Sequence, residues 1–469
     1  MINNIINLFK GWWHRMFDYK KILKDFDLDI QTSNDILDAI QEWSRIFNMN
    51  EPWIDNNTSS LHVAKTICEK VAEAVTIEYK SVCSEPNIDK VYQKFLKKVR
   101  CNTEYMLGKS CVFFRPYYSN GKISVSIIQA DKFIPVKFDD SGELLSCIIV
   151  DQITKGNVVY TRLEYNELIN NGMTIKNIAY KGKKDGTILE SKISLSEVDK
   201  WKDIDEQGRI DGIDRLIGGF ASMNSANTID NSYPCGMPIY FNALDTLKEI
   251  DKQWSRTLWE YDGSELAIDI DESLLKRDKN GNIKYPKGKD RLFRKMIFDE
   301  VKDKNYNVFS PEIRDTSMFN GLNEMLRRAE VQCHLEHGTI SKTETVEKSA
   351  TEAKQLKQSY YVTVGDIQKS LQDAFNDLIY GIYVLCKLNG IPVQSDYVVE
   401  HDWDDSILVD KEEARNQALV ERNNDITSDV QYIMDTRNMK EKEAIEYVKK
   451  QKEYRKLTEE KEEELPEEE

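Results

Sequence analysis

Two helical stretches of nearly equal length, residues 243–262 and 317–335, enclose a strand-rich interval at residues 263–316, and this trio restricts the chain more than any other feature. In the first stretch Leu244, Leu247, Ile250, Trp254, Leu258 and Tyr261 recur at helical spacing and make one broad apolar stripe, with Asn242 as the expected N-cap. Phe319, Leu322, Leu326, Ala329 and Cys333 do the same in the second. A helix of that length spans about 30 Å. The interval carries an Asp278-Lys279-Asn280-Gly281-Asn282 turn, and matched helices on either side predict an out-and-back hairpin that holds a small β-rich module away from the body.

A chain of 469 residues exceeds one ordinary core and divides into about two to four parts. Charged residues make up 31% and hydrophobic ones 40%, the balance of a soluble globular chain, and no window approaches the roughly 18 consecutive apolar residues of a membrane helix. Residues 1–17 lack the apolar core and cleavage site of a signal peptide, and their aromatic side chains predict packing on a neighbour ahead of contact with a membrane surface. Cys68, Cys83, Cys101, Cys111, Cys147, Cys235, Cys333 and Cys386 include no Cys-x-x-Cys pair and read as reduced thiols. A net charge of −16 argues against holding nucleic acid by broad phosphate neutralisation, yet suits a conduit that must let a strand slide.

Residues 20–80 are expected to be mostly helical. Asn56-Asn57-Thr58-Ser59-Ser60 is the start signal before Val63, Ile67, Val71 and Val75, which recur every four residues. From about 103 to 195 the pattern changes to short alternating runs at 110–118, 122–129, 144–152 and 158–168, separated by Ser119-Asn120-Gly121 and Asp139-Asp140-Ser141-Gly142. These predict an antiparallel sheet packed on helices. Beyond the second long helix a polar stretch reaches Lys348, and Ser349 and Glu352 then stand at the spacing of a capping box. Residues 350–389 read as helical with an interruption near Val362-Thr363-Val364-Gly365. After Asp402-Trp403-Asp404-Asp405-Ser406 the chain is helical to about Lys456, with boundaries at Ile426-Thr427-Ser428 and Asn438-Met439-Lys440, and the Glu-rich tail from Glu459 is expected to be disordered.

Chemistry is sparse. Gly108-Lys109-Ser110 ends like a phosphate-binding loop, but position 103 is Thr where the opening glycine belongs. His334 and His337 lack a third metal ligand nearby in sequence. Asp402, Asp404 and Asp405 follow a strand-to-helix turn with only His401 as a companion. No catalytic residue, cofactor or metal site is expected.

The order of elements resembles the portal family of tailed phages, of the type with a Thr-Ala-Thr-Glu-Val-like motif where this chain has Ser349-Ala350-Thr351-Glu352-Ala353. The run Gly236-Met237-Pro238-Ile239-Tyr240-Phe241-Asn242-Ala243-Leu244-Asp245 ahead of the first long helix, and Gln129-Ala130-Asp131-Lys132-Phe133-Ile134-Pro135-Val136 before a hairpin turn, carry the resemblance too. It implies an α+β portal fold. Residues 1–241 would form an N-terminal region and α/β wing, 242–262 and 317–335 a two-helix stem, 263–316 a small β-rich clip and 336–349 a tunnel loop. Residues 350–400 would be wing and crown helices, 401–456 a helical crown and 457–469 an acidic tail.

The function implied is a dodecameric channel at one capsid vertex, through which double-stranded DNA enters during packaging and leaves at ejection without sequence-specific contact. ATP hydrolysis would belong to a separate terminase, so the chain itself would not be an enzyme. Terminase, a head-completion adaptor, and the major capsid and scaffold proteins would be partners. The place would be the portal vertex of the virion, after assembly in the host bacterial cytoplasm, with no membrane role. On the loop, Lys342 and Lys348 would touch DNA while Ser349 and Glu352 anchor its base. Lys248, Lys252, Arg256, Arg327 and Arg328 would become basic bands if copies surround a twelve-fold axis. The other reading of those five is as surface charges paired with Glu249, Asp251, Glu324 and Glu330. Two rival functions remain: a non-conducting structural or scaffold protein of a phage head, or a terminase-type ATPase or nuclease.

Overall fold

The computed structural model describes residues 19–28, 33–183, 189–231, 233–271, 277, 279–281, 293–296, 306–342, 350–403, 418–424, 426–437, 439 and 441–463. The chain is mixed α+β and divides into two compact units, residues 1–77 with 81–401, and residues 78–80 with 402–469.

The larger unit begins with helices α1 (Tyr19–Phe26), α2 (Asn34–Phe47) and α3 (Val63–Thr76). Ser33 caps α2 by accepting the Ile36 N–H at 3.4 Å. On α3 the four-residue spacing is realised, with Val63, Ile67, Val71 and Val75 all buried. Its start differs from the expectation. His62, in the left-handed region at φ 52°, occupies the cap position, and Ser60 instead accepts the His62 N–H at 2.9 Å. Strand β1 (Lys80–Cys83) and helices α4 (Pro86–Leu96) and α5 (Val99–Lys109) follow.

The run of alternating segments forms two sheets rather than one. Strands β2 (Cys111–Ser119) and β3 (Lys122–Gln129) join β10 (Gly219–Ser222) in the order β10-β2-β3. A 3-10 turn at Ala130–Lys132 then redirects the chain into an antiparallel meander. This comprises β4 (Phe133–Phe138), β5 (Leu144–Lys155), β6 (Val158–Leu168), β7 (Gly172–Lys183) and β8 (Leu189–Ile193), with β9 (Gln207–Asp211) also paired to β7. Phe133, Ile148, Leu163 and Tyr165 from the meander share one core with Ile22, Phe26, Ile36 and Trp43 from α1 and α2. Burial of that apolar surface is what holds helices to sheet.

Asn242 does not cap the next helix. It sits inside a 3-10 turn, Phe241–Ala243, that leads into α6 (Leu244–Gly263), and Ala243 takes the cap position without a side-chain bond. Strands β11 (Ala267–Asp271), β12 (Phe293–Met296) and β13 (Tyr306–Phe309) precede α7 (Asp315–Gln332). Helix α8 (Ala350–Leu388) then runs for 39 residues without the interruption expected near Gly365, and β14 (Val399–Asp402) pairs with β1. Val364, Ile367, Leu371, Phe375 and Leu378 are all buried along α8, and packing of that face overrides the weak helix propensity of Val-Thr-Val-Gly. The Phe375 ring lies 5.5 Å from Phe95 and 5.7 Å from Phe114, so α8 is locked to α4 and β2 by aromatic contacts. Backbones also meet closely here: a Cβ at Gly219 of β10 would overlap the Ala374 carbonyl.

The smaller unit contains α9 (Asp429–Arg437) and α10 (Glu441–Glu463). Ser428 accepts the Gln431 N–H at 3.1 Å, in keeping with the boundary read at Ile426-Thr427-Ser428. Arg437 lies over the Tyr447 ring at 4.8 Å, and Tyr79 stacks on Trp403 at 3.8 Å. Helix α10 extends past the expected start of the tail at 457 as far as Glu463; the remainder of the tail lies outside the described residues.

Candidate functional site

Helices α6 and α7 run antiparallel, and polar pairs mark both ends of their contact. Near one end Thr246 Oγ1 donates to Gln332 Oε1 at 2.7 Å; near the other Arg314 grips Glu260 with two bonds of 3.0 and 2.7 Å. The bonds from Arg314 hold the Glu260 carboxyl below its ordinary range. Between the helices the chain forms a three-stranded sheet in the order β12-β11-β13. The expected strand-rich module is therefore present on its two helices. Its topology departs from a hairpin. Gly281 has the positive φ, 85°, of a turn glycine, but β11 and β12 are parallel, and parallel strands need a crossover instead of a tight turn. Arg294 fastens β12 to β11 through Asp269 at 2.8 Å and stacks over Phe309 of β13 at 4.5 Å.

The chain leaves α7 through His334, at φ 55°, into a loop organised by one carboxylate. Glu330, only 1% exposed, accepts the backbone N–H of Ile340 at 2.7 Å and of Ser341 at 2.8 Å. It also accepts the Gly338 N–H at 3.1 Å and the Ser341 hydroxyl at 2.9 Å, with His337 Nδ1 3.0 Å away. Burial alone would raise this carboxyl, yet the converging N–H donors outweigh it, and the group sits below its ordinary value. A second clamp joins Asn323 to the backbone of Lys342, N–H to Oδ1 at 2.7 Å and Nδ2 to the carbonyl at 3.3 Å. The start of the loop is thus tied to α7.

Lys342 is exposed, its ammonium 5.9 Å from the Phe319 ring. Lys348 and Ser349 lie outside the described residues, as does the side chain of Glu352, although α8 does begin at Ala350. The five basic helix residues divide. Lys252 pairs with Glu249 at 2.7 Å and Arg327 with Glu324 at 2.5 Å. Lys248, Arg256 and Arg328 make no ion pair with another described residue, and Arg256 and Arg328 are exposed. Two of the proposed surface partners are buried instead: Glu330 in the loop, and Asp251, 3% exposed, which accepts Trp53 Nε1 at 2.8 Å and the Leu61 N–H at 2.8 Å. Nothing in spacing distinguishes a buried, backbone-bonded acid from a solvated one, so both escaped sequence reasoning. Glu330 offered one signal, the run of small polar residues Gly338, Thr339 and Ser341 just after it, whose backbone needs acceptors.

The remaining motifs resolve into packing. A Cβ at Gly108 would overlap the Phe47 ring, and Lys109 is buried against Asp131 at 3.3 Å, leaving no phosphate cradle. His334 faces Ser359 and His337 faces Glu330, and no metal-binding group of three occurs among the described residues. His401 bonds Ser81 and Asn376; Asp404 and Asp405 lie outside the described residues. On the helix pair, Trp259 is 70% exposed and Val331 61%. No described helix is long and apolar enough to cross a membrane. No protein-family model and no curated protein matches the chain.

Proposed function

We propose that the chain is a portal subunit, assembled as a closed ring of about twelve copies around a DNA channel at a phage capsid vertex. The observation that carries this reading is the antiparallel pair α6–α7 with a small sheet between its distal ends and a polar loop at its return, followed at once by the long α8. In that reading α6 and α7 are the stem, β11–β13 the clip that docks terminase and then a head-completion adaptor, and residues 336–349 the tunnel loop. The exposed Trp259 and Val331 supply apolar surface for a neighbouring copy, since large side chains left in water on a rigid helix favour association. Repetition around the axis turns Lys248, Arg256 and Arg328 into bands of positive charge. Capsid, scaffold and the virion vertex enter as the surroundings of that ring.

Negative-stain imaging of the purified protein is expected to show closed rings with a central hole, and the same preparation is expected to release no phosphate from ATP. Monomers with magnesium-dependent turnover would overturn the proposal. Within the ring, Lys342→Ala combined with Lys348→Ala is expected to leave assembly unchanged and reduce packaged DNA. Two cations per subunit on a loop make weak, salt-screened phosphate contacts. Wild-type packaging by proheads carrying the double variant would show that the loop does not engage DNA.

A further inference from the structure

The strap between α2 and α3 crosses α6 and is fastened there by two buried carboxyl groups that share one hydroxyl. Ser60 Oγ lies 3.0 Å from Glu51 Oε1 and 3.0 Å from Asp251 Oδ2, and it already accepts the His62 N–H at 2.9 Å. A hydroxyl has one proton and two lone pairs. With one lone pair taken, Ser60 donates to one carboxyl and has a single lone pair left to accept from the other. Complete bonding therefore requires a proton on one of the two acids. Glu51 is 4% exposed and Asp251 3%, and Glu51 Oε2 is buried with no hydrogen-bond partner among the described residues, a costly position for an ionised group and a tolerable one for a neutral carboxyl.

We propose that Glu51 and Asp251 form a one-proton clasp: the strap is locked to α6 while the pair holds one proton, and loss of that proton as pH rises releases it. The clasp does not depend on the assembly the chain enters. The proton belongs to the pair, as it does wherever two acids interact this closely. Burial pushes Asp251 above its ordinary value of 3.8, against the bonds from Trp53, Leu61 and Ser60, and the charge of Glu51 adds to the rise. The sign follows. A raised carboxyl contributes stability fully below 3.8 and loses it as pH climbs through the raised value.

Neighbouring charges act in known directions. His62 Nδ1 is 2.8 Å from Glu51 Oε1, so any positive charge on that ring would favour the ionised Glu51 and act against the proton of the pair. Glu42 on α2 and Tyr240 ahead of α6 lie in the same electrostatic neighbourhood, with Cys68 of α3, and burial lifts Glu42 to about 7. On α6 itself Lys252 is engaged by Glu249, next to Lys248.

Hydrogen exchange on the full chain tests the clasp at the amides of residues 53–61, expressed as protection factors from about pH 3.5, below the ordinary carboxyl value, to about pH 8. Protection of the Leu61 amide, which donates to Asp251 Oδ1 at 2.8 Å, is expected to fall at least about tenfold across that range in the wild type. Glu51→Gln supplies a permanent donor to Ser60 and is expected to keep the acid-side protection throughout. Ser60→Ala is expected to lose protection at every pH. Should Glu51→Gln fail to fold, Glu51→Met removes the second acid, leaves the Asp251 acceptors in place and is expected to flatten the pH profile of the same Leu61 amide. A flat wild-type profile, or the same slope in wild type and carboxamide variant, overturns the clasp. So does a slope abolished by Glu42→Gln, which would assign the proton to Glu42.

Discussion

Replacing Glu330 by alanine is expected to free the loop after α7 while leaving the helices folded. The substitution removes the acceptor of three backbone N–H groups and one hydroxyl at a place closed to water, and each orphaned donor costs about 1–3 kcal/mol. Because the loop relaxes toward solvent, the net loss is about 3 kcal/mol. Amides 338–341 are expected to lose nearly all protection from hydrogen exchange, and a protease that ignores the wild-type loop is expected to cut there. Glu330→Gln keeps one acceptor oxygen but turns an N–H toward other donors, so an intermediate loss is expected. The pH dependence has a definite sign. The carboxyl is depressed in the folded state, so the latch is whole above the ordinary value of 4.5 and fails only as pH falls through the depressed value. Loop protection unchanged in Glu330→Ala would mean that Asn323 alone holds the turn.

Gly219→Val is expected to damage the body of the larger unit more than any surface change. Its added carbons would meet the Ala374 carbonyl of α8, and a backbone oxygen cannot swing aside as a side-chain tip does. Either β10 leaves β2 or α8 shifts off the sheet, and a shift pulls Phe375 from Phe95 and Phe114. Overpacking of a rigid core costs about 3 kcal/mol here, at the top of the usual range, and more if the aromatic contacts separate. Thermal denaturation of the variant beside Gly365→Ala checks this. Nothing lies within 4 Å of a Cβ at Gly365, so that control is expected to melt no lower than the wild type. Equal melting of all three proteins would show that α8 and β10 separate without cost.

Periodicity exposed the elements and little of what joins them. Strands β3 and β6 occur at their expected residues: polar and apolar residues alternate from Lys122 to Ile127 in β3, and turns at Ser119-Asn120-Gly121 and Gly156 mark where the two strands begin. Helix α8 continues through Gly365, where propensity predicts a break, because intrinsic propensity is a small quantity beside the burial of a continuous apolar face. The division into two sheets at Ala130–Lys132 was hidden for another reason: alternation reports which side of a strand is buried and says nothing about its partner. At the candidate site, the out-and-back helices were legible from matched stripes, whereas Glu330 and Asp251 looked like ordinary helix acids. Their roles arise from groups far along the chain or from backbone donors, which no side-chain pattern records.

The unbroken course of α8 has a mechanical consequence. Thirty-nine residues of α-helix make a rod of about 58 Å, and no proline or irregular turn divides it. One end begins where the polar loop finishes, and the middle is wedged among Phe95, Phe114 and Tyr92. A force applied at Ala350 therefore arrives at Phe375 as a displacement of the whole strut instead of being absorbed at a hinge. The aromatic wedge is the fulcrum: strain at the loop is borne by α4 and the β10-β2-β3 sheet, far along the molecule from where it is applied.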